Sequence, residues 1–144
     1  MNIKIKRVDK TLSLPAYKTS GAVAFDVSAR ETVTIPAGQV GYIPLNVIIE
    51  VPENCWVLLA PRSSTHKLGL TSANGIGIGD RDFCGERDEY VFAALNFTQK
   101  EVTVERGTRI AQMMVMQYQP VMFTEVESFR ENNDRGGFGT TGLK

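Results

Sequence analysis

From Asn2 to Val126 the chain is a succession of short segments with a period of two, each broken by proline or glycine. "NIKIKRV" at Asn2 to Val8 and "ETVTIPAG" at Glu31 to Gly38 alternate apolar and polar residues, the pattern of half-buried strands. "QVGYIPLNVIIEVPENCWVLLAPRSS" carries β-branched and aromatic runs punctuated by Pro44, Pro52 and Pro61. "EYVFAALNF", "EVTVERG" and "TRIAQMMVMQYQPVMFTEV" extend the strand pattern to Val126. Short strands at this spacing predict an all-β sandwich, barrel or jelly roll. Only "SSTHKLG", after Pro61 and Arg62, suits a turn or two of helix, with Ser63 or Ser64 as its cap. No βαβ alternation and no internal repeat is present, which excludes a doubly wound nucleotide fold.

The length of 144 residues predicts one domain and hence one site system. Lys plus Arg and Asp plus Glu are 16 each, so the net charge of zero calls for neither a nucleic acid nor an anionic membrane. Any bound anion must be held by a local cluster. Cys55 and Cys84 form no disulfide framework, and no apolar run approaches the roughly 20 residues that span a bilayer. With no signal-like segment, an intracellular, cytoplasmic, soluble protein is expected. The single histidine, His66, leaves few parts for a Ser-His-Asp triad or a zinc site, and no P-loop occurs.

The chemistry must then lie in short polar islands between the strands. "AVAFDVSA" sets Asp26 in an apolar run, where a carboxylate needs a paired group or a nearby cation. "APRSSTHKLGL" puts Arg62 beside Ser63 and Ser64 at a helix start, a combination suited to phosphate oxygens. "NGIGIGDRDFCGE" reads as a glycine-punctuated hairpin carrying Asn74, Asp80 and Phe83. "GTRIAQMMV" places Arg109 and Gln112 on an apolar strand, and the terminal "RGGFGTTG" supplies Arg135 and Phe138. Each has an ordinary role as a turn or surface residue. Together they match a nucleoside triphosphate: cations, hydroxyls and an amide for phosphates, aspartates for magnesium and water, an amide with rings for base and sugar.

In this order and spacing the five islands resemble the motifs of the trimeric dUTPase family, with "LPAYKTSGA" as the lead-in and the likeness running to Gly142. The resemblance implies a jelly-roll-like, distorted β-barrel over residues 1–129 and a flexible C-terminal lid over 130–144. It implies a homotrimer whose sites lie between subunits, the second and fourth motifs from one chain, the third from a neighbour and the fifth from the remaining one. "VIIEV" and "MMVMQY" are apolar strands that a trimer axis would bury. The implied reaction is Mg2+-dependent hydrolysis of dUTP to dUMP and pyrophosphate, which controls dUTP and supplies dUMP for thymidylate synthesis.

By position, Asp80 corresponds to the carboxylate that activates water, and Asp26 to one that supports the metal indirectly, through water. Arg62, Ser63, Ser64 and Gln112 match phosphate-contacting positions. Asn74, six residues before Asp80, and the backbone at Gly75 to Gly77 match the uracil-reading hairpin. Phe83 stands where a tyrosine packs on the deoxyribose, Phe138 matches the ring that stacks on uracil, and Arg135 the cation at the terminal phosphate. The chain departs from the pattern at Ala24, at Phe83, at Cys84, read as a small buried filler, and at Gly79, where a larger residue precedes the catalytic aspartate. The glycine is expected to loosen the hold on Asp80. Two alternatives stand beside this reading: a dCTP deaminase, or bifunctional deaminase and dUTPase, on the same fold, and an inactive regulatory trimer that uses "RGG" as a contact.

Overall fold

In the computed structural model, residues 1–129 and Gly136 are described. The expected positions Arg135 and Phe138 lie outside the described residues. The elements are β1 (Lys4–Arg7), β2 (Phe25–Ser28), β3 (Val33–Ile35), β4 (Val40–Pro44), β5 (Val47–Glu50) and β6 (Cys55–Pro61), then a 3₁₀ turn (Thr65–Leu68). They continue as β7 (Leu70–Ser72), β8 (Gly77–Gly79), β9 (Val91–Asn96), β10 (Val102–Val104) and β11 (Arg109–Gln117). The chain is therefore nearly all β, as its period of two predicts.

All strand pairs are antiparallel, in a four-stranded sheet β2-β11-β6-β8, a three-stranded sheet β4-β9-β7, and the ribbons β1-β5 and β3-β10. The ladders stay in separate sheets, and no closed barrel is formed among the described residues. One continuous core joins them: Phe25, Val27, Val57, Leu59, Ile110 and Met113 from the larger sheet meet Ile43, Leu70, Phe92 and Ala94 from the smaller one. Phe92 is fully buried, and burying a side chain of that size contributes about 1.5–3 kcal/mol.

Three local features differ from the sequence reading. The strand pattern that continues to Val126 ends as structure at Gln117, with a last backbone bond from the Tyr118 N–H to the Asn54 carbonyl at 2.9 Å. Pro120 then cannot donate to a ladder, and Met122 and Phe123 are almost fully exposed. Asn74 and Gly75 do not close a hairpin, because β7 pairs with β9 and β8 with β6, so the turn carries the chain from one sheet to the other. Of the two, only Gly75 has a positive φ, which excludes the type I′ geometry. Cys84 is half-buried, so it is no core filler, while Cys55 is buried and both thiols are free.

Asn46 ties the interior together from a left-handed backbone position. Its side chain accepts from the Asp9 N–H at 2.6 Å and donates to the Asp9 carbonyl at 3.0 Å, and its own N–H donates to Glu89 at 2.8 Å. Glu89 also accepts from Arg30 Nε at 2.8 Å, so the segment leading into β9 is fixed to the β4–β5 corner. No described helix is long and apolar enough to cross a membrane.

Candidate active site

One polar cluster forms where β2, β11 and β6 lie side by side. Asp26 is paired across β11 with Gln112, which faces Ala60 of β6, so the three positions form one row on one face of the sheet. Strand alternation carries the same face on to Arg62, just beyond β6. Arg62 Nε donates to Asp26 Oδ1 at 2.8 Å, and Arg109 Nη1 donates to Asp26 Oδ2 at 2.9 Å. The carboxylate expected to need a counter-charge is thus shared by two guanidinium groups, which it holds side by side.

The turn after β6 completes the cluster. The Thr65 hydroxyl accepts from the Arg62 N–H at 3.0 Å and donates to the Ile110 carbonyl at 2.8 Å, pinning the turn to β11. Ser64 is the residue before the 3₁₀ turn, but its hydroxyl does not cap it; it accepts a long bond of 3.4 Å from Arg62 Nη1. The predicted side-chain cap is therefore not formed, and the turn is anchored instead by the Thr65 bonds to Arg62 and Ile110. Gly69, at φ 79°, ends the turn. Ser63 is exposed, and Gln112 Nε2 donates to the Pro61 carbonyl at 3.0 Å, which fixes its amide beside the serines. Cations, hydroxyls and an amide presented together on rigid strand ends are suited to a polyphosphate.

A second group of the expected residues lies around β8. A cavity of about 340 Å³ is lined by Asn74, Gly77, Gly79, Asp80, Phe83 and Tyr90, among others, a size that suits a small planar ligand. Ser72 Oγ donates to Asn74 Oδ1 at 2.9 Å and so orients that amide. Asp80 is exposed at the end of β8, and its carbonyl accepts from the Phe83 N–H at 3.1 Å, closing a turn that brings the carboxylate and the ring onto one wall.

Gly79 is not a loose point in this wall. A Cβ placed on it would meet the Tyr90 hydroxyl at 2.1 Å, so the tyrosine ring occupies the space that a side chain would take. Tyr90 stacks edge-to-face on Phe83, with ring centroids 5.2 Å apart. Burial, then the nearby charge of Asp80 and then Cys84, push the Tyr90 phenol up to about 12, which keeps it neutral.

The two groups do not meet within one chain. β8 runs antiparallel to β6, with Gly77 opposite Leu59 and Gly79 opposite Val57, so Asp80 lies towards Trp56 while Arg62 follows the other end. The six residue steps from Trp56 to Arg62 span roughly 20 Å of extended strand. Asp26, Arg62, Ser63, Ser64 and Gln112 therefore gather in one place, and Asn74, Gly77, Asp80 and Phe83 in another.

The sequence placed Arg109 in a polar island without giving it a role, and gave no sign of Tyr90. Arg109 and Gln112 share a face only because a register shift between Arg109 and Ala111 inserts an extra residue. The adjacent apolar pair Ile110 and Ala111, both fully buried, is its trace in the sequence. Tyr90 reads as an ordinary strand residue, and only its position over Gly79 distinguishes it. For a metal, the described residues contain no group of three or more His, Cys, Asp or Glu placed to hold an ion, and both Asp26 oxygens already accept from arginine. These residues fit magnesium that arrives on a phosphate chain and keeps its waters, rather than one held in a protein cage.

An antiparallel β protein with a cluster of cations, hydroxyls and an amide, and a separate pocket bordered by Asp80, is of a class suited to a nucleotide. Residues 10–142 match the dUTPase family model. Over 99% of its length the chain is 37% identical to the deoxyuridine 5'-triphosphate nucleotidohydrolase of Dictyoglomus turgidum, covering 99% of that protein. It is 35% identical to the protein of the same name from Rickettsia prowazekii, over 99% of this chain and 98% of that one. In fold it resembles the dUTPase of Staphylococcus bacteriophage 80alpha solved with dUPNHPP, with a TM-score of 0.86 at 20% identity, covering 99% of each chain. The dUTPase of Streptococcus mutans superposes with a TM-score of 0.76 at 24% identity, over 83% of this chain and 98% of that one. The chain belongs to the dUTPase family.

Proposed function

We propose that the protein hydrolyses dUTP to dUMP and pyrophosphate at sites shared between copies of this chain in a homotrimer. The observation that carries this reading is the antiparallel β6–β8 pairing, which holds Asp80 and Arg62 at opposite ends of one strand. Two halves that cannot meet on one phosphate within a chain are complementary between chains.

Asp80 takes a proton from water as the water oxygen attacks the α-phosphorus. The bond to the α,β-bridging oxygen breaks, and its electron pair leaves with pyrophosphate. A carboxylate can accept that proton, so the step needs no histidine. Arg62, Arg109, Ser63, Ser64 and Gln112 hold and orient the phosphates, and Asp26 keeps the two guanidinium groups aligned. Mg2+ bound to the triphosphate would spread charge over the phosphate oxygens, supported by Asp26 through water. Asn74 and the backbone to Gly77 read the uracil edge, Phe83 packs on the deoxyribose, and residues 130–144 act as a lid in which Phe138 stacks on uracil and Arg135 reaches the terminal phosphate. The setting is cytoplasmic, where both thiols stay reduced. Uracil read by hydrogen bonds favours this reaction over deamination of dCTP.

Pyrophosphate release from dUTP, beside dCTP, dTTP and UTP, is the test. The intact protein is expected to turn over dUTP alone, and a chain cut before Arg135 to keep its oligomer but lose most of the rate. Mixing and reassembling two inactive variants, Asp80→Asn and Arg62→Ala, is expected to restore activity, because one site can draw an intact half from each. Inactivity of the intact protein on dUTP would refute the reaction, and mixtures without recovery would refute the shared site.

A further inference from the structure

The site reading gives Tyr90 no role, yet Tyr90 touches both ends of the turn that bears Asp80. Its ring covers the face of Gly79, the residue before Asp80, where a Cβ would lie 2.1 Å from the hydroxyl and 2.6 Å from Cε1. Its edge supports Phe83, which closes the turn through its N–H bond to the Asp80 carbonyl. The tyrosine cannot drift. Its backbone N–H donates to the Val47 carbonyl at 3.0 Å, and its carbonyl accepts from the Leu45 N–H at 2.9 Å, on the corner that Asn46 and Glu89 lock.

Tyr90 is 5% exposed, and its buried hydroxyl has no hydrogen-bond partner among the described residues. A buried phenol without a partner is unfavourable, so shape rather than hydrogen bonding holds it in place. Phe83 differs. It is 39% exposed, in edge-to-face contact with Tyr90 and with the rest of the ring available to the cavity. The position of Phe83 in the cavity is therefore set from beneath by a ring that fits only because residue 79 has no side chain.

We propose that Tyr90 is a specificity-determining positioning residue: seated on Gly79, it fixes Phe83 against the sugar and so sets the preference for a deoxyribose over a ribose triphosphate. This rests on the reading above, in which Phe83 packs on the sugar. A ring held against the 2′ carbon leaves no space and no acceptor for a 2′-hydroxyl, which would lose its water without a replacement bond. A ring free to tilt accommodates it.

The readout is the ratio of kcat/KM for dUTP to that for UTP, with oligomeric state and thermal unfolding followed in the same samples. Discrimination against an added hydroxyl by an apolar wall is on the order of 100-fold, and Tyr90→Val is expected to lower it about tenfold or more. Tyr90→Phe, which keeps the ring, is expected to retain the preference. The double variant Gly79→Ile with Tyr90→Val, which moves the bulk back to position 79, is expected to recover part of it. Should Tyr90→Val not fold, Gly79→Ala drives a methyl against the phenol tip and is expected to lower the same ratio.

A merely structural role would lower both rates together and leave the ratio unchanged, and that result in Tyr90→Val or Gly79→Ala overturns the proposal. Equal loss in Tyr90→Phe and Tyr90→Val overturns it too, because the hydroxyl would then be responsible. An intact protein inactive on dUTP removes the reading on which the inference rests. An intact protein that prefers dUTP, with variants that keep the preference, removes the inference alone.

Discussion

The polar region around Asp26 and the one around Asp80 are built on opposite terms. Around Asp26 the polar groups satisfy one another before any ligand arrives: two arginines share one carboxylate, Thr65 links the turn to β11, and Gln112 is tied to Pro61. Around Asp80 the order is set by shape, with a glycine face, a buried ring and an edge-to-face contact, and the buried Tyr90 hydroxyl has no partner among the described residues. Phosphates carry charge that any cation attracts, so a phosphate site needs its cations pre-aligned rather than finely shaped. A base and a sugar differ from their competitors by a methyl or a hydroxyl, and such differences are read by space and by uncompensated polar groups.

The largest test of this contrast is Asp80→Asn. Its side chain is exposed and packs against nothing the fold requires, so pyrophosphate release is expected to fall by about 10²- to 10⁴-fold while the unfolding temperature stays put. A matching loss of stability would mean that the carboxylate belongs to the packing after all. Gly79→Ile comes next. With Tyr90 held by two backbone bonds, overpacking is expected to cost up to about 3 kcal/mol in denaturant unfolding, and an indifferent protein would show that the wall yields.

Asp26→Asn addresses the charged half. The loss of a shared carboxylate that is itself only partly exposed is expected to cost about 1–2 kcal/mol and to raise KM for dUTP more than it lowers kcat. A change confined to kcat would place Asp26 in the chemical step. The smallest effect is on alkaline stability. The Tyr90 phenol titrates near 10.0 when unfolded and at about 12 in the native state, so between those values the unfolded chain binds fewer protons and native stability declines as pH rises. Tyr90→Phe is expected to flatten that decline in unfolding curves taken from pH 9 to 12, with no change below.

Much of the fold was legible because strand alternation and its proline and glycine breaks are local signals, and they place β1, β3, β9 and β10 closely. Asp26 was legible for the same reason, since a carboxylate within an apolar strand requires a cation. Its partner Arg109 was harder to read, because a single inserted residue in β11 changes which side chains share a face. The apolar run after Gln117 misled, since hydrophobic pattern alone does not say whether a neighbouring strand is there to pair with.

The sequence by itself determined an all-β chain, the polar groups set between its strands, and the family membership that their order reveals. Tertiary structure alone decided that Asn74 and Gly75 bridge two sheets, that the antiparallel register parts Asp80 from Arg62, and that Gly79 is filled rather than loose. The physical reason is the range of the causes. Strand propensity, turn chemistry and charge type act over a few residues, whereas register and steric exchange between positions 79 and 90 exist only once distant segments are packed together.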